Sequence, residues 1–193
     1  MKKHVLVIFI GCFLQSCEDN KTVYKPESSA RINSITVVID KDNWDNKIGD
    51  KIRSLYADEY EGLPQIEERF TLKQMPYETF SGFSRSSRNI IFINKTSNPE
   101  FFFEKDKYAR PQIYLEIKGN NTQSILNQLD ESNKEAIKKF KSGEIEENKR
   151  RILKSPLKDI SAMEDFLIDM KMPSAYSLYK KDKNFIWYQK QIQ

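Results

Sequence analysis

The chain has 193 residues and a formal net charge of +4, from 32 lysines and arginines against 28 aspartates and glutamates. Its one histidine, His4, and its two cysteines, Cys12 and Cys17, all lie within the first seventeen residues. The body of the chain therefore cannot build a Ser-His-Asp or Cys-His nucleophile, or a zinc site of the usual cysteine and histidine kind.

The chain opens MKKHVLVIFIGCFLQSC. Lys2 and Lys3 make a positive start, and Val5 to Leu14 is an unbroken run of ten residues without charge. A spanning helix needs about 20 apolar residues. The run is too short for that and has the length of a signal-peptide core. It ends in Leu14-Gln15-Ser16-Cys17, which resembles the lipobox of bacterial lipoproteins: an aliphatic residue at −3, a small one at −1, then the cysteine. Gln15 departs from the small residue usual at −2, and Cys12 is a competing site. The resemblance implies cleavage after residue 16 and acylation of Cys17, a palmitate-type anchor. Two or more acyl chains hold a protein stably on a bilayer. With Cys12 removed, Cys17 has no cysteine left to pair with.

Cleavage removes Lys2 and Lys3 and no acid, leaving 30 basic residues against 28 acidic ones over 177 residues. A net charge near +2 is no footprint for nucleic acid. Residues 17–31 read as the acylated cysteine and a polar tether, EDNKTVYKPESSAR, and residues 32–193 as one domain.

INSITVVID (32–40) is rich in β-branched residues and predicts a central strand. Trp44, Ile48, Ile52 and Leu55 or Tyr56 then recur at helical spacing, with Asp42 or Asn43 able to cap. Gly62-Leu63-Pro64 is a turn, ERFTLKQM a second strand, and Pro76 opens a short helix through Phe80 and Phe83. RNIIFINK is a third strand, and two more are expected near 101–105 and 112–118. From Thr122 the pattern is helical, with Ile125, Leu129, Ala136, Ile137 and Phe140 as its stripe. EIEENKRRILKS continues that helix or starts another, and Pro156 stops it. LKDISAMEDFLIDM predicts a further helix, and AYSLYKKDKNFIWYQKQI closes as a hairpin turning at 181–184. The fold class expected is α+β: a mixed sheet with helices mainly on one face.

Chemistries open to the body are paired carboxylates, a Ser-Lys pair and oxygen-only Ca²⁺ or Mg²⁺ sites. DKDNWDNKIGDK looks acidic enough for a calcium loop, but its fifth position is Trp44, its sixth Asp45 and its twelfth Lys51, so it reads as a capped, solvated helix. In KYARPQ, Pro111 favours an extended Arg110, whose guanidinium beside Tyr108 can clamp a carboxylate or phosphate or close an internal ion pair. Arg85 and Arg88 flank two serines and complete a candidate anion patch of Arg85, Arg88, Tyr108 and Arg110. Lys134 to Lys154 carries eight basic and four acidic residues, interleaved as on a solvated helix face. Phe101–Phe103 and FIWY read as core before glycan-stacking surface. A glycan hydrolase would need two facing acids about 5–10 Å apart. Asp40 at a strand end and Asp45, Asp50 or Glu78 are the acids available, and sequence spacing does not make them converge.

GLPQ, NIIFIN, KYARPQ and MPSAY…NFIWYQ, together with ARINSITVVID…W…IGDKIR, resemble domain-of-unknown-function family 4837, lipoproteins of Bacteroidetes-type bacteria. The resemblance implies a lipid-anchored envelope protein and no particular chemistry. That family's pattern continues past its tryptophan-containing strand, which makes this chain, ending at Gln193, a truncated member by expectation. The functional expectation is a non-catalytic binding or assembly module without metal or cofactor. It is held on the outer membrane in preference to the inner, with an envelope protein or glycan as partner and no nucleic acid. The rival is a carboxylate-based glycan hydrolase.

Overall fold

A computed structural model describes residues 24–191. The signal-like segment and Cys17 lie outside the described residues. The protein is α+β, as its pattern of strands and helices predicts. Strands β1 (Ser34–Val38), β2 (Thr71–Met75), β3 (Asn89–Lys95), β4 (Glu100–Lys105) and β5 (Ile113–Gly119) form one mixed sheet in the order β2-β1-β3-β5-β4. The first four in that order run parallel, and β4 closes one edge antiparallel to β5. Helices α1 (Lys41–Trp44) and α2 (Lys47–Tyr56) connect β1 to β2, and α3 (Thr122–Lys154) follows β5.

The sheet is buried on two faces, and period-two alternation divides its side chains between them. Ile35, Val37 and Ile39, then Ile91 and Ile93, then Leu115 and Ile117 face the helices. There they meet Ile48, Ile52 and Tyr56 of α2, and Ile125, Leu129, Ala136 and Phe140 of α3. Val38, Ile90 and Tyr114 point the other way. They are covered by the β2–β3 connection, whose two 3₁₀ turns (Tyr77–Thr79 and Gly82–Ser86) bring Phe80 down onto the strands. Gly49 lets α2 start close to α1: a Cβ there would sit 1.8 Å from the Trp44 carbonyl oxygen.

Helix α3 is one continuous element of 33 residues, so EIEENKRRILKS continues the preceding helix. Asn121 caps it, accepting from the Ser124 amide at 2.9 Å. Its buried stripe runs Ile125, Leu129, Ser132, Ala136, Phe140 and then Glu144 and Glu147. The stripe turns from apolar to acidic in its second half, where interleaved charge predicts solvated residues. Glu144 is buried because four donors reach it. Arg88 is bidentate, with Nε at 2.8 Å and Nη2 at 3.1 Å, the Asn89 side chain donates at 2.5 Å, and the Asn33 amide at 2.7 Å. Arg88 and Glu144 side chains are each only 2% exposed. Glu147, fully buried, lies 3.7 Å from Arg88 Nη1 and accepts from Arg150 and Arg151.

Two segments differ from the sequence expectation. The polar stretch expected as a tether joins the folded body from Lys25 onward. Lys25 donates to the Asp106 carbonyl, Ser28 and Ser29 amides donate to the Arg110 and Ser86 carbonyls, and Glu27 pairs with Arg150 at 2.5 Å and Lys154 at 3.3 Å. The helix expected over 157–170 is a single turn, α4 (Ser161–Glu164), and Leu167 takes a left-handed φ of 57° that cannot continue it. The chain then forms the predicted hairpin, β6 (Ser177–Lys181) and β7 (Ile186–Gln189), as a separate two-stranded sheet.

Arg88→Ala strands Glu144 as a buried, unpaired charge and is expected to cost about 3–5 kcal/mol in urea unfolding. A loss within about 0.5 kcal/mol would show that water or rearrangement already serves that charge. Hydrogen bonds from Arg150 and Arg151, with the Arg88 charge nearby, hold the Glu147 carboxyl down at about 2 against an ordinary 4.5. A depressed folded value means stability that is complete above pH 4.5 and lost as pH falls through about 2. Circular dichroism against pH should show unfolding set in within that window, and Glu147→Gln should flatten the dependence there.

Candidate functional site

The four residues of the candidate anion patch fall in three places. Arg85 and Tyr108 meet on the sheet face away from the helices. The Arg85 guanidinium lies 5.0 Å from the Tyr108 ring and 5.6 Å from that of Phe80, and its Nε donates to the Phe80 carbonyl at 3.1 Å. Arg110 is exposed and its Nε is 3.9 Å from an Asp106 carboxylate oxygen, a loose ion pair. The Arg110–Pro111 peptide is cis, and the Arg110 backbone hydrogen-bonds Pro26 and Ser28. Arg88 is buried on the helix side, committed to Glu144. The structure brings Arg85 to Tyr108 and leaves Arg88 and Arg110 elsewhere.

Asp40, Asp45 and Asp50 also scatter. Asp45 pairs with Lys41 at 2.6 Å and Asp50 with Arg53 at 2.7 Å, both on the surface. Asp40 lines a cleft of about 480 Å³ at the carboxyl ends of β1 and β3, with Asp42, Lys95 and Thr122 around it. It caps α1, accepting from the Asn43 amide at 2.9 Å and side chain at 2.6 Å. Burial pushes its carboxyl up, but the Asn43 hydrogen bonds and the Lys95 charge outweigh this and hold it below the ordinary value. A carboxyl tuned that way keeps its charge and is unsuited to donate a proton to a leaving group. Among the described residues no three His, Cys, Asp or Glu side chains are grouped to hold a metal ion.

A groove of about 820 Å³ lies between α3 and the end of β4 with the start of β5. Phe103, Pro111 and Ile113 contribute its apolar surface, and Glu135, Lys138, Lys139, Ser142 and Glu146 of α3 form one wall. Gly143 brings the helix down at this point: a Cβ there would meet Ile113 Cδ1 at 3.0 Å. The other wall is β4, the terminal strand of the sheet. An edge strand presents main-chain N–H and C=O groups without partners in its own sheet. Beside an apolar floor and a helix wall, that is the geometry that accepts an extended polypeptide as an added strand.

Sequence reasoning missed a second polar constellation, on the face away from the helices. Glu116 is buried there, accepting from Asn94 Nδ2 at 2.8 Å and from the Tyr114 hydroxyl at 3.2 Å, with the Lys107 ammonium 3.8 Å away. Lys107 also lies 3.9 Å from the centre of the Tyr114 ring. Burial, then the Glu116 charge, pushes the Tyr114 hydroxyl well above its usual range. The alternation of IYLEIKG is the signal that was available: it puts Glu116 on the face of Tyr114, where a carboxylate needs donors. Its hydrogen bonds close among side chains of the same face, which marks it as a structural cluster.

No curated protein and no solved structure matches the chain significantly. One family model matches, Domain of unknown function (DUF8532), over residues 28–153. This overturns the resemblance to family 4837, whose quoted motifs GLPQ, NIIFIN and KYARPQ are short runs of common strand and turn residues. The span begins in the segment that docks beside Arg88 and ends at the last turn of α3, so it covers the whole five-stranded sheet and leaves out the hairpin. The chain belongs to the family described as Domain of unknown function (DUF8532).

Proposed function

We propose that the protein is a lipid-anchored cell-envelope lipoprotein, a non-catalytic binding module that presents the groove between α3 and β4 to an envelope polypeptide. The observation that carries the anchor is the sequence at the start of the chain: a positive n-region, a ten-residue apolar run, and Leu14-Gln15-Ser16-Cys17. With family 4837 set aside, the envelope reading rests on those seventeen residues alone. Support for binding over catalysis comes from the groove and from the direction in which Asp40 and Glu147 are shifted. Both are held as carboxylates, whereas a glycosidase acid needs its carboxyl raised toward neutral pH. No observation favours the hydrolase reading.

Growth with an alkyne-tagged palmitate tests the anchor. The wild-type chain and Cys12→Ala should take up label and sediment with membranes, and Cys17→Ala should do neither. Label retained by Cys17→Ala would overturn it. A photo-crosslinking residue at Ser142, in the groove wall, tests the binding surface. It should capture a discrete envelope polypeptide that Phe103→Glu loses, whereas the same probe at exposed Ser54 on α2 should not. Equal capture from both positions would remove the groove from the reading.

A further inference from the structure

The hairpin at the end of the chain is built unlike the rest of the molecule. Every residue of β6 is exposed, and Leu178, Tyr179, Phe185 and Trp187 are 43–59% exposed. Tyr179 and Trp187 pack edge to face on each other, centroids 4.8 Å apart, and lie open to solvent. An isolated two-stranded hairpin is marginally stable in water at best. This one has an irregular register between Leu178 and Lys180 and lies beyond the family's matched span. Its charges are mostly of one sign: Lys180, Lys181, Lys183 and Lys190 against Asp182. Lys181 is paired with Asp165 and Lys180 sits 5.5 Å from the Phe185 ring. Lysines interleaved with tyrosine and tryptophan suit the boundary between water and an anionic lipid surface.

The position of the hairpin points to the same occupant. Its root is tied to the end of α3, where the Ser174 amide donates to the Ser155 carbonyl at 2.9 Å and the two hydroxyls are 2.8 Å apart. One residue earlier, Lys154 holds Glu27 at 3.3 Å. The docked N-terminal segment and the hairpin thus leave the body at the same end. Lys25, the first residue tied to the body, is eight residues from Cys17, a reach of at most about 26–29 Å when extended.

We propose that the 177–190 hairpin docks on an anionic lipid surface, with Tyr179 and Trp187 at headgroup level and Lys180, Lys183 and Lys190 against phosphates. The domain is then laid on the membrane at its tethered end. The orientation rests on the lipid-anchor reading, but the hairpin's own affinity for lipid does not.

The test uses the chain from Glu18, which keeps every residue of the described fold and has no acyl group. Trp44→Phe leaves Trp187 as its one tryptophan. On phosphatidylcholine vesicles containing phosphatidylglycerol, Trp187 emission should shift to the blue and be quenched by brominated acyl chains. Both effects should fade with added salt and be absent on phosphatidylcholine alone. Lys180→Glu with Lys183→Glu should weaken binding more than about tenfold, at about fivefold per lysine near an anionic surface, with an unchanged circular dichroism spectrum. Unshifted emission on the anionic vesicles overturns the proposal. So does a concentration-dependent dimer in light scattering that buries Trp187 without lipid, which would assign the hairpin to a second copy of the chain. Palmitate labelling at Cys17 is read separately, so the anchor and the hairpin fail independently.

Discussion

The arrangement of this protein depends on a buried ion pair, Arg88 with Glu144. Residues from three segments converge on it. Arg31 offers a carbonyl to Arg88 Nη2 at 3.0 Å, the Asn33 amide and Asn89 side chain bond Glu144, and α3 supplies the carboxylate. Taking two charges out of water is expensive, and their attraction compensates only when the remaining donors and acceptors are also served. Here the carboxylate has four donors, and the guanidinium bonds Glu144 and a main-chain carbonyl, while its Nη1 is buried without a hydrogen bond and has only the Glu147 charge 3.7 Å away. The pair ties α3 to the amino ends of β1 and β3 at one point along its length.

The groove is a consequence of that position. The apolar first half of α3 packs over β5, β3 and the helix-facing residues of α2. The second half is drawn to Asn33, Arg88 and Asn89, and Lys141 reaches the Asn33 side chain at 3.2 Å and the Arg69 carbonyl at 2.8 Å. A helix held over the amino ends of β1, β2 and β3 leaves the end of β4 and the start of β5 only partly covered. The concavity of about 820 Å³ lies there. The buried ion pair thus holds the half of α3 that walls the groove. The same end of α3 carries the charge chain from Glu147 through Arg150 to Glu27, which fastens the N-terminal segment beside the root of the hairpin.

The strands were legible because their residues carry local signals. INSITVVID and RNIIFINK are β-branched and nearly continuous, as strands buried on both faces must be. The hairpin announced itself by alternation around KDKN. The helix expected over 157–170 was not read correctly: only Ala162 and Met163 in its centre find a buried site, and the chain leaves the helix before Leu167. Of the candidate anion patch, spacing could not show that Arg88 faces α3 while Arg85 sits over Tyr108. A difference of three residues across a turn and a strand start is a difference of sheet face.

The sequence by itself determined the class of the fold, the strand and helix content of residues 32–154, and the absence of histidine and cysteine after Cys17. Those are properties of local pattern and composition, and no contact is needed to read them. Tertiary structure alone decided that Glu144 and Glu147 are interior residues, that residues 25–31 belong to the body, and that the groove lies against the edge strand. Each depends on partners distant along the chain: Arg88 lies 56 residues from Glu144, and Glu27 lies 127 from Lys154. A glutamate on a charged helix looks the same in sequence whether it meets water or a buried arginine, and only the packing of α3 on the sheet distinguishes the two.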